Sequence, residues 1–533
     1  MRLRNSLVYL TAVLACLTAA GAASAVPGPS SPNMSLVSSI PNAGAIGANF
    51  DGKLMYVTGV ASGLTIYDIS DPSVIVPMGS VPLPHFENEN VTVRGGRALI
   101  SFDGATGVGL FVIDVSNPHT PMLLNTDPIS TVGGAGHTAA CADPKCNIAY
   151  VAGAKKINII DITDPANAKH VKTFDAKYVG SSHAIDPDQD GLMWIAGGNG
   201  TAAFDVTDPR NPVEVANTGE EGKKTAGGCG YLQGSSPACQ QQRRGINNFI
   251  HHNSQRVPNR DAAPGLQTAV ESGTPDAQSC RTVQGTRVER YKAKVKVTKR
   301  VKRRVKVNGR WVVRWKKVTR TVVRTKTRRV PTSHEECATA PGTHTSTVNP
   351  NAGSQVVLVT EEDWLQPQCA GEGSFQTWRW VPGTGTLKHL DSWWTEAGNV
   401  GTDGRRETAA TCSSHWFDQR GGFAAVGWYD QGVRLLDVRN PMDIKQVGWA
   451  VGGTEVAAYF SPTDPSGQTV YTLDMVGGTI DVWKFARPMT SPKNTRPITV
   501  PQRVVNQIDI QRLLGAQRTR VDPHWGPVCR LPL

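Results

Sequence analysis

GLTIYDISDP, residues 63–72, is a stretch that this 533-residue chain repeats with small changes. The further copies are GLFVIDVSNP (109–118), KINIIDITDP (156–165), GTAAFDVTDP (200–209) and GVRLLDVRNP (432–441). One aspartate holds the same place in every copy, at Asp68, Asp114, Asp161, Asp205 and Asp437, and the first three intervals are 46, 47 and 44 residues. A period in the forties, combined with strand-forming residues, is typical of the blades of a propeller.

Each copy has the features of a buried strand that ends in a turn. In the first copy, Leu64, Ile66 and Tyr67 put apolar side chains on both faces of the strand, as a position between two sheets requires. The Asp-Pro or Asn-Pro that follows ends the strand, because proline has no N–H for the hydrogen-bond ladder. We predict a structural role for the recurring aspartate, because short acidic side chains accept hydrogen bonds from turn backbones.

Two weaker copies complete the set of repeats. GSFQTWRW (373–380) and GTIDVWKF (478–485) carry Trp378 and Trp483 in place of the aspartate, which makes seven units in all. The seventh unit lacks a following strand, whereas the strand-like segment MSLVSSIP (34–41) belongs to no unit. We predict that 34–41 is the outer strand of the last blade, which would close the ring and cover its edges. The predicted fold class is all-β, a seven-bladed β-propeller over residues 26–486 with a long basic β-hairpin insertion.

The aspartate signature, on strands that read like INIID, resembles the LVIVD repeat family. The resemblance covers most of residues 34–486 outside the insertion. It implies a β-propeller and leaves the ligand open, because a fold does not specify a function.

The N-terminal segment has the features of a secretory signal peptide. Residues 1–25 contain Arg2 and Arg4, then an apolar run, then small residues up to Ala25. A second cleavage site precedes Cys16 and would make a lipoprotein, but that cut leaves an apolar segment attached, so we favour cleavage after Ala25. No later segment reaches the ~20 apolar residues of a membrane span. We expect an exported protein, secreted or at the cell surface, with a C-terminal tail at 487–533.

Nine cysteines follow the predicted signal peptide, and in an oxidising compartment they are expected to form disulfides. Short spacing favours Cys141 with Cys146 and Cys229 with Cys239, whereas Cys280 and Cys337 flank the basic insertion. Three cysteines remain, so one thiol is expected to be free. Spacing alone does not determine the connectivity. The unassigned cysteines are Cys369, Cys412 and Cys529.

The net charge of +12 comes from one segment. Residues 281–330 contain 21 Lys and Arg and one acid, which leaves 35 basic and 43 acidic residues elsewhere. This segment lies within an insertion, assigned to residues 218–350 of the fifth blade. Alternating basic and apolar residues around Asn308-Gly309 predict a β-hairpin at 285–330. The turn sets the register, so that Lys306 faces Trp311 and Lys302 faces Trp315.

A hairpin this basic is expected to bind a polyanion. An anionic cell-wall polymer or lipid surface suits an exported protein better than nucleic acid does. The alternative is a solvated spacer without a ligand. The candidate binding residues are Lys302, Arg304, Lys306, Arg310, Trp311, Arg314, Trp315 and Lys316.

Several units begin with a histidine where the innermost strand of a blade is expected. These residues are His137, His183, His415 and one of the pair His251 and His252, of which we favour His252. Equivalent positions converge on the axis of a propeller, so several imidazoles could bind one transition-metal ion there. The alternative is a set of histidines that hydrogen-bond around a water-filled channel.

Acidic residues at other blade starts could complete such a metal site, and we name Glu89 or Glu455. The stretch VVLVTEEDW (356–364) adds three acids, Glu361 to Asp363, either at the channel mouth or on a solvated loop. The sequence contains no phosphate-binding glycine loop, no Gly-x-Ser-x-Gly elbow and no Cys-x-x-Cys pair.

Two functions therefore compete. The first is an exported binding protein, in which the propeller is a rigid platform and the cationic hairpin engages anionic polymers or surfaces. The alternative is a metal-dependent propeller enzyme, such as an oxidoreductase, with histidine ligands. Carotenoid-cleaving oxygenases and selenium-binding-protein-like enzymes are similar in placing histidines on the axis of a seven-bladed ring, which is an analogy of fold alone.

Overall fold

The computed structural model describes residues 30–486 except 43, 60–61, 84–89, 105–106, 154, 178, 224–249, 273–277, 340–344, 363–372 and 396–412. The predicted signal peptide, the alternative cleavage at Cys16 and the tail at 487–533 lie outside the described residues. Helical structure in the described part is limited to short 3₁₀ turns at Pro165–Asn167, Gly219–Gly222 and Asn259–Asp261. No helix in these ranges has the length and apolar character needed to cross a membrane.

The described residues are mainly β-strands. In chain order they are β1 (Met34–Pro41), β2 (Ala45–Asp51), β3 (Leu54–Gly59), β4 (Gly63–Asp68), β5 (Val76–Val81), β6 (Val91–Arg94), β7 (Arg97–Gly104), β8 (Gly107–Asp114), β9 (Met122–Leu123), β10 (Ile129–Ser130), β11 (Ala139–Cys141), β12 (Ile148–Val151), β13 (Lys156–Asp161), β14 (Lys169–Asp175), β15 (Ser182–Pro187), β16 (Leu192–Gly197), β17 (Gly200–Asp205), β18 (Val213–Asn217), β19 (Ile250–Pro258), β20 (Val270–Ser272), β21 (Gln278–Val307), β22 (Arg310–Thr339), β23 (Thr345–Thr347), β24 (Gly353–Glu362), β25 (Phe375–Trp380), β26 (Gly385–Trp393), β27 (Phe417–Arg420), β28 (Phe423–Gly427), β29 (Val433–Asp437), β30 (Lys445–Ala450), β31 (Glu455–Phe460), β32 (Thr469–Asp474) and β33 (Thr479–Phe485).

The strands form two units, of which the larger comprises the described residues up to 269 and from 348 onward. Its described part contains seven antiparallel sheets, β2–β5, β6–β10, β11–β14, β15–β18, β19 with β24–β26, β27–β30, and β31–β33 with β1. The innermost strands β2, β6, β11, β15, β19, β27 and β31 each contact the next, and β31 contacts β2. These contacts close the ring, and the predicted all-β propeller is confirmed. A short parallel pairing of β18 with β26 also joins the fourth and fifth sheets.

The ring closes as the sequence predicts. Strand β1 pairs antiparallel with β33, from Met34 opposite Phe485 to Pro41 opposite Thr479. The first described strand is therefore the outer strand of the last sheet, and β33 is hydrogen-bonded on both of its edges, to β1 and to β32.

The hydrophobic core lies between adjacent sheets. Leu64 and Ile66 of β4 pack in one cluster with Val91 and Ile100 of the second sheet. Tyr67 of the same strand packs in a different cluster with residues of the seventh sheet. Each repeat strand thus buries both faces, which explains why apolar residues in GLTIYD do not simply alternate with polar ones.

The recurring aspartates have the structural role that the sequence predicts. Each accepts a hydrogen bond from the backbone N–H two residues later, as Asp68 does from Ser70 at 2.7 Å and Asp161 from Thr163 at 3.0 Å. The same bond forms at Asp114, Asp205 and Asp437. The motif is therefore a turn that ends each repeat strand.

Replacing Asp161 with alanine is expected to lower the free energy of unfolding by about 1 kcal/mol, the usual value of a lost hydrogen bond. The carboxylate also accepts from Arg210 at 2.6 Å, and this bond, with those from Thr163, lowers the pKa of Asp161 to about 2. Because the folded-state pKa is lowered, this contribution is present above the ordinary value of 3.8 and is lost as the pH falls toward 2. Urea denaturation at pH 7 and pH 3 measures both effects. Exposed Asp175 is the control, and an equal loss in D175A would contradict the assignment.

The second unit, residues 270–347, contains the basic hairpin. Strands β21 and β22 pair without a register shift from Gln278 opposite Thr339 to Val307 opposite Arg310. Asn308 and Gly309 form the turn, with φ of 49° and 83°. The hairpin extends beyond the predicted 285–330, and the predicted register, including Lys306 opposite Trp311, agrees with the observed pairing.

The assigned insertion 218–350 differs from the structure at one point. It includes β19, which is the innermost strand of the fifth sheet and carries His252. The separate unit begins at Val270, after β19. Asp205 and Trp378 are 173 positions apart, and no repeat signature between them marks where the insertion begins, so the assigned range included the strand on which His252 was expected.

The cysteines can be compared with the predicted pairs at two places. Cys141 and Cys146 form a disulfide. The backbone of Cys280 lies directly opposite that of Cys337 in the hairpin. The other predicted pair and the unassigned cysteines, Cys229, Cys239, Cys369, Cys412 and Cys529, lie outside the described residues.

Candidate metal centre and cationic hairpin

The four predicted histidines form a continuous row in the larger unit. The ring centroids of His137 and His183 are 4.0 Å apart, those of His183 and His252 are 4.4 Å apart, and those of His252 and His415 are 4.0 Å apart. Each residue lies on an innermost strand or within two residues of one, in the third to sixth sheets. All four are buried, and His252 has no exposed surface. The repeat therefore brings together side chains that are up to 278 positions apart.

His252 rather than His251 joins the row, because adjacent residues of a strand point to opposite faces. The ring of His251 instead packs against Trp378, with 5.7 Å between centroids, and its Nδ1 lies 2.9 Å from Thr201 Oγ1. Burial lowers the pKa of His251 to about 3, so this imidazole is neutral at physiological pH.

Glu362, at the end of β24, is the carboxylate that lies among these histidines. Its Oε2 is 3.6 Å from Nε2 of His183 and 4.0 Å from Nε2 of His252, and its Oε1 is 3.7 Å from Nε2 of His415. The hydroxyl of Tyr429 donates a hydrogen bond to Oε1. The neighbouring Glu361 points elsewhere and accepts from Ser374 Oγ at 2.7 Å.

Neither acid that the sequence favoured is seen at the histidines. Glu89 lies outside the described residues. Glu455 lies near Asp474 and Asp481 of the seventh sheet, and all the histidine–carboxylate ion pairs of the described site involve Glu362. The sequence signal for Glu362 was the acidic end of VVLVTEEDW. Side chains alternate between the two faces of a strand, so Glu361 and Glu362 are expected on opposite faces.

The distances suit a metal ion. One ligand atom from each of His183, His252 and Glu362 lies within 4.8 Å of the others. Ligands at about 2.1 Å from a tetrahedral ion are separated by about 3.4 Å, so the observed separations need only small movements. Nitrogen and carboxylate ligands suit first-row transition metals such as Fe, Mn, Cu or Zn.

A second contact orients His415 toward this position. Its Nδ1 lies 2.7 Å from the carbonyl oxygen of Val456, so Nδ1 carries the proton and donates. Nε2 then faces Glu362 Oε1, 3.7 Å away, and in the neutral tautomer it offers its lone pair in that direction. A histidine whose other ring nitrogen is held by a carbonyl is the usual support of a metal ligand, and a cation between Nε2 and Oε1 would contact both atoms.

Glu455 forms a separate, fully buried site. Burial, and then the charges of Asp481 and Asp474, raises the pKa of Glu455 well above its ordinary value of 4.5. Asp481 accepts a hydrogen bond from Ser39 of β1, so this acidic cluster lies beside the ring closure.

The variant E455Q is expected to be more stable than the wild type at neutral pH, with a Tm higher by about 2 °C or more. A carboxyl whose folded-state pKa is raised contributes stability at low pH, and this contribution is lost as the pH rises above 4.5. The difference in Tm should therefore grow between pH 5 and pH 8 in differential scanning calorimetry. E214Q, on the outer strand β18, is the control. A constant difference over this range would show that Glu455 is not the titrating group.

A second repeated pattern follows the histidines. The residue three positions after each of His183, His252 and His415 is Asp186, Gln255 or Asp418. Asp186 accepts from the N–H of Ser254 at 3.3 Å, Gln255 donates to the carbonyl of Phe417 at 2.8 Å, and Asp418 accepts from the N–H of Phe460 at 3.0 Å.

Each of these three side chains thus forms a hydrogen bond with the backbone of the innermost strand of the following sheet. The pattern His-x-x-Asp/Gln was not recognised in the sequence. It could have marked the innermost strands of three consecutive sheets.

The eight predicted polyanion-binding residues divide between two faces of the hairpin. Directly opposed residues share a face, and side chains alternate along each strand. One face, here called the tryptophan face, carries Lys302, Arg304, Lys306, Trp311 and Trp315. The opposite face carries Arg310, Arg314 and Lys316.

Cations lie over both tryptophans of the tryptophan face. The Nζ of Lys302 is 5.3 Å from the ring centroid of Trp315, and that of Lys306 is 6.0 Å from the ring centroid of Trp311. The tryptophans are nevertheless 60% and 65% exposed, so each ring still offers a surface to a ligand.

Comparisons with known proteins find a matching family model. Residues 50–82, 88–126 and 145–175 match the model of the LVIVD repeat family. No curated protein matches the chain.

Three of the similar solved structures share 9% identity with this chain. The β-propeller domain of Cps50 (Swd1) from Myceliophteria thermophila has a TM-score of 0.44, at 9% identity, and the alignment covers 85% of this chain and 100% of that one. A putative 6-phosphogluconolactonase from Bacteroides fragilis has a TM-score of 0.43, at 9% identity, with coverages of 84% and 93%. A protein from Lactobacillus plantarum has a TM-score of 0.45, at 9% identity, with coverages of 85% and 94%.

The family match includes the repeats of Asp68, Asp114 and Asp161, whose hydrogen bonds define the turn of each blade. Residues 50–175 of this all-β chain therefore contain LVIVD repeats.

Proposed function

We propose that the propeller is a metal-dependent protein that binds one transition-metal ion between His183, His252, His415 and Glu362. The observation that carries this proposal is the buried carboxylate of Glu362, which faces Nε2 of three histidines at 3.6 to 4.0 Å. His137 extends the row beyond His183 and is a further candidate ligand.

The residues around this position have separate roles in the proposal. The carbonyl of Val456 fixes the tautomer of His415, and the hydroxyl of Tyr429 holds Glu362. Burial of all these groups excludes bulk water and strengthens their interaction with a cation. When bound, a transition metal supplies Lewis-acid or redox chemistry, so the proposed class is a histidine-ligated propeller enzyme, such as an oxidoreductase.

Elemental analysis of the purified full chain tests the proposal. We expect about one equivalent of Fe, Mn, Cu or Zn per chain after dialysis against metal-free buffer, and the same stoichiometry on reloading the stripped protein. Protein that stays metal-free when reloaded with each ion would refute the proposal.

A second function is supported by a separate observation in the hairpin unit. We propose that the protein is exported and that its tryptophan face binds an anionic polymer or surface, such as a cell-wall polymer. Exposed rings beside lysines can stack on sugars while the ammonium groups pair with anions. Secretion and cell-surface attachment are part of this proposal, and they are supported by the signal-peptide features of the N-terminal sequence.

Retention on an anionic polysaccharide column tests this second function. We expect the full chain to be retained at low salt and released as the salt concentration rises, because screening weakens such contacts. Elution of the full chain in the void volume at low salt would refute it.

A further inference from the structure

A second feature of the ring is a cavity of about 120 Å³ between its innermost strands. Its wall is formed by residues that lie in, or directly before, six of the seven innermost strands. The lining residues are Ala48, Asn49, Asn90, Thr92, Ile185, Asp186, Pro187, Gln255, Trp416, Phe417 and Tyr459. The cavity therefore lies in the middle of the ring, where a ligand would contact almost every blade.

Trp416 is the wall between this cavity and the candidate metal centre. Its ring centroid is 4.8 Å from that of His252 and 6.2 Å from that of His415. Trp416 is 6% exposed, and its indole N–H finds no acceptor among the described residues. A buried donor without an acceptor is costly, and a ligand with an oxygen atom would satisfy it.

The charge of the wall restricts the ligand. Asp186 is the acidic residue of the lining, and no Lys, Arg or His is among the lining residues of the described structure. Burial raises the pKa of Asp186 to about 7, so near neutral pH this carboxyl can either donate or accept a hydrogen bond. Anionic ligands are disfavoured at such a wall, whereas a neutral hydroxyl group suits it.

The shape of the wall restricts the ligand further. Trp416, Phe417 and Tyr459 supply aromatic surface, and Asn49, Asn90 and Gln255 supply amide groups. The volume of about 120 Å³ is below the roughly 150 Å³ of a closed cavity that holds benzene, so a ligand larger than a single small ring is excluded.

We propose that the cavity binds a small neutral hydroxylated ring of the phenol type, with the ring against the aromatic wall and its hydroxyl between the indole N–H of Trp416 and the carboxyl of Asp186. This binding goes beyond the proposed metal function and does not require the metal. The wall of the site consists of side chains that are not candidate ligands.

Phenol is the probe, and saturation-transfer NMR titration of the full chain measures its affinity. We expect saturable binding with a Kd of about 1 mM or lower. At pH 8, above the pKa of about 7, D186N should weaken it by about tenfold, since the phenol hydroxyl then donates to a neutral amide oxygen instead of a carboxylate.

D418N is the matched control, because Asp418 occupies the equivalent position in the sixth sheet but does not line the cavity. It should bind phenol like the wild type. Benzoate, which is anionic, should bind at least tenfold more weakly than phenol, a difference of about 1.4 kcal/mol.

A second variant fills the cavity in case D186N does not fold. A48L adds three carbon atoms at the wall and should abolish phenol binding, with folding verified by circular dichroism. Absence of saturable binding to the wild type, or equal affinity in the wild type and A48L, would overturn the proposal. Metal-stripped protein should bind phenol with the same affinity as untreated protein. The phenol proposal can therefore be tested even if the metal proposal fails.

Discussion

The variant E362Q is expected to lose metal binding, with affinity reduced by about 100-fold or more. Loss of an outer-shell partner alone typically costs 10- to 100-fold in metal affinity, and Glu362 is proposed as a direct ligand. Its carboxylate is also the negative charge that makes a cation favourable among the three histidines. Competition with a chelator of known affinity, followed by elemental analysis, measures the change.

The adjacent residue provides the control for this experiment. Glu361 is equally buried, but its carboxylate accepts from Ser374 on the other face of the strand. E361Q should therefore keep the metal, as should H251N beside the proposed ligand His252. Equal affinities in E361Q and E362Q would show that the metal, if bound, lies elsewhere.

Deletion of residues 285–330 is expected to abolish retention of the protein on an anionic polysaccharide. This segment contains 20 of the 56 basic residues and one acid, so the remaining chain has a negative formal charge. The hairpin unit is separate from the propeller in the pattern of contacts, so the deletion should leave the propeller folded. Elution salt concentration on the column measures the effect, and unchanged retention would rule out the hairpin as the binding element.

Two variants of equal charge test whether the tryptophan face matters beyond charge. One replaces Lys302, Arg304 and Lys306 with glutamine, and the other replaces Arg310, Arg314 and Lys316 in the same way. If the ligand stacks on the tryptophans, the first variant should elute at clearly lower salt than the second. Equal elution would indicate that charge density alone retains the protein.

The repeat made much of the fold predictable. Aspartates at a spacing of 44 to 47 residues indicated the blades, and the unassigned strand 34–41 indicated how the ring closes. The Asn308-Gly309 turn was sufficient for the register of the hairpin, because a two-residue turn leaves one way to pair the strands. These features depend on local patterns, which a single sequence contains.

The candidate site was less predictable, because its partners meet only through the ring. The four histidines were found from their place at the blade starts, but Glu362 lies at the end of a second strand, where no repeat position marks it. Glu455 occupies a blade start, yet its side chain lies beside Asp474 and Asp481. The direction of a side chain in the channel depends on bulges and neighbours that a pattern of spacing does not contain.

The pairing of β1 with β33 has a mechanical consequence. Met34 lies opposite Phe485, and the N–H of Ala486 donates to the carbonyl of Asn33 at 2.9 Å, so the two chain ends of the ring leave from the same end of one strand pair. Tension between these ends would load the hydrogen bonds one after another, as in a zip, rather than all together. The seam at β1 would therefore open first under force, with the other six sheets still intact.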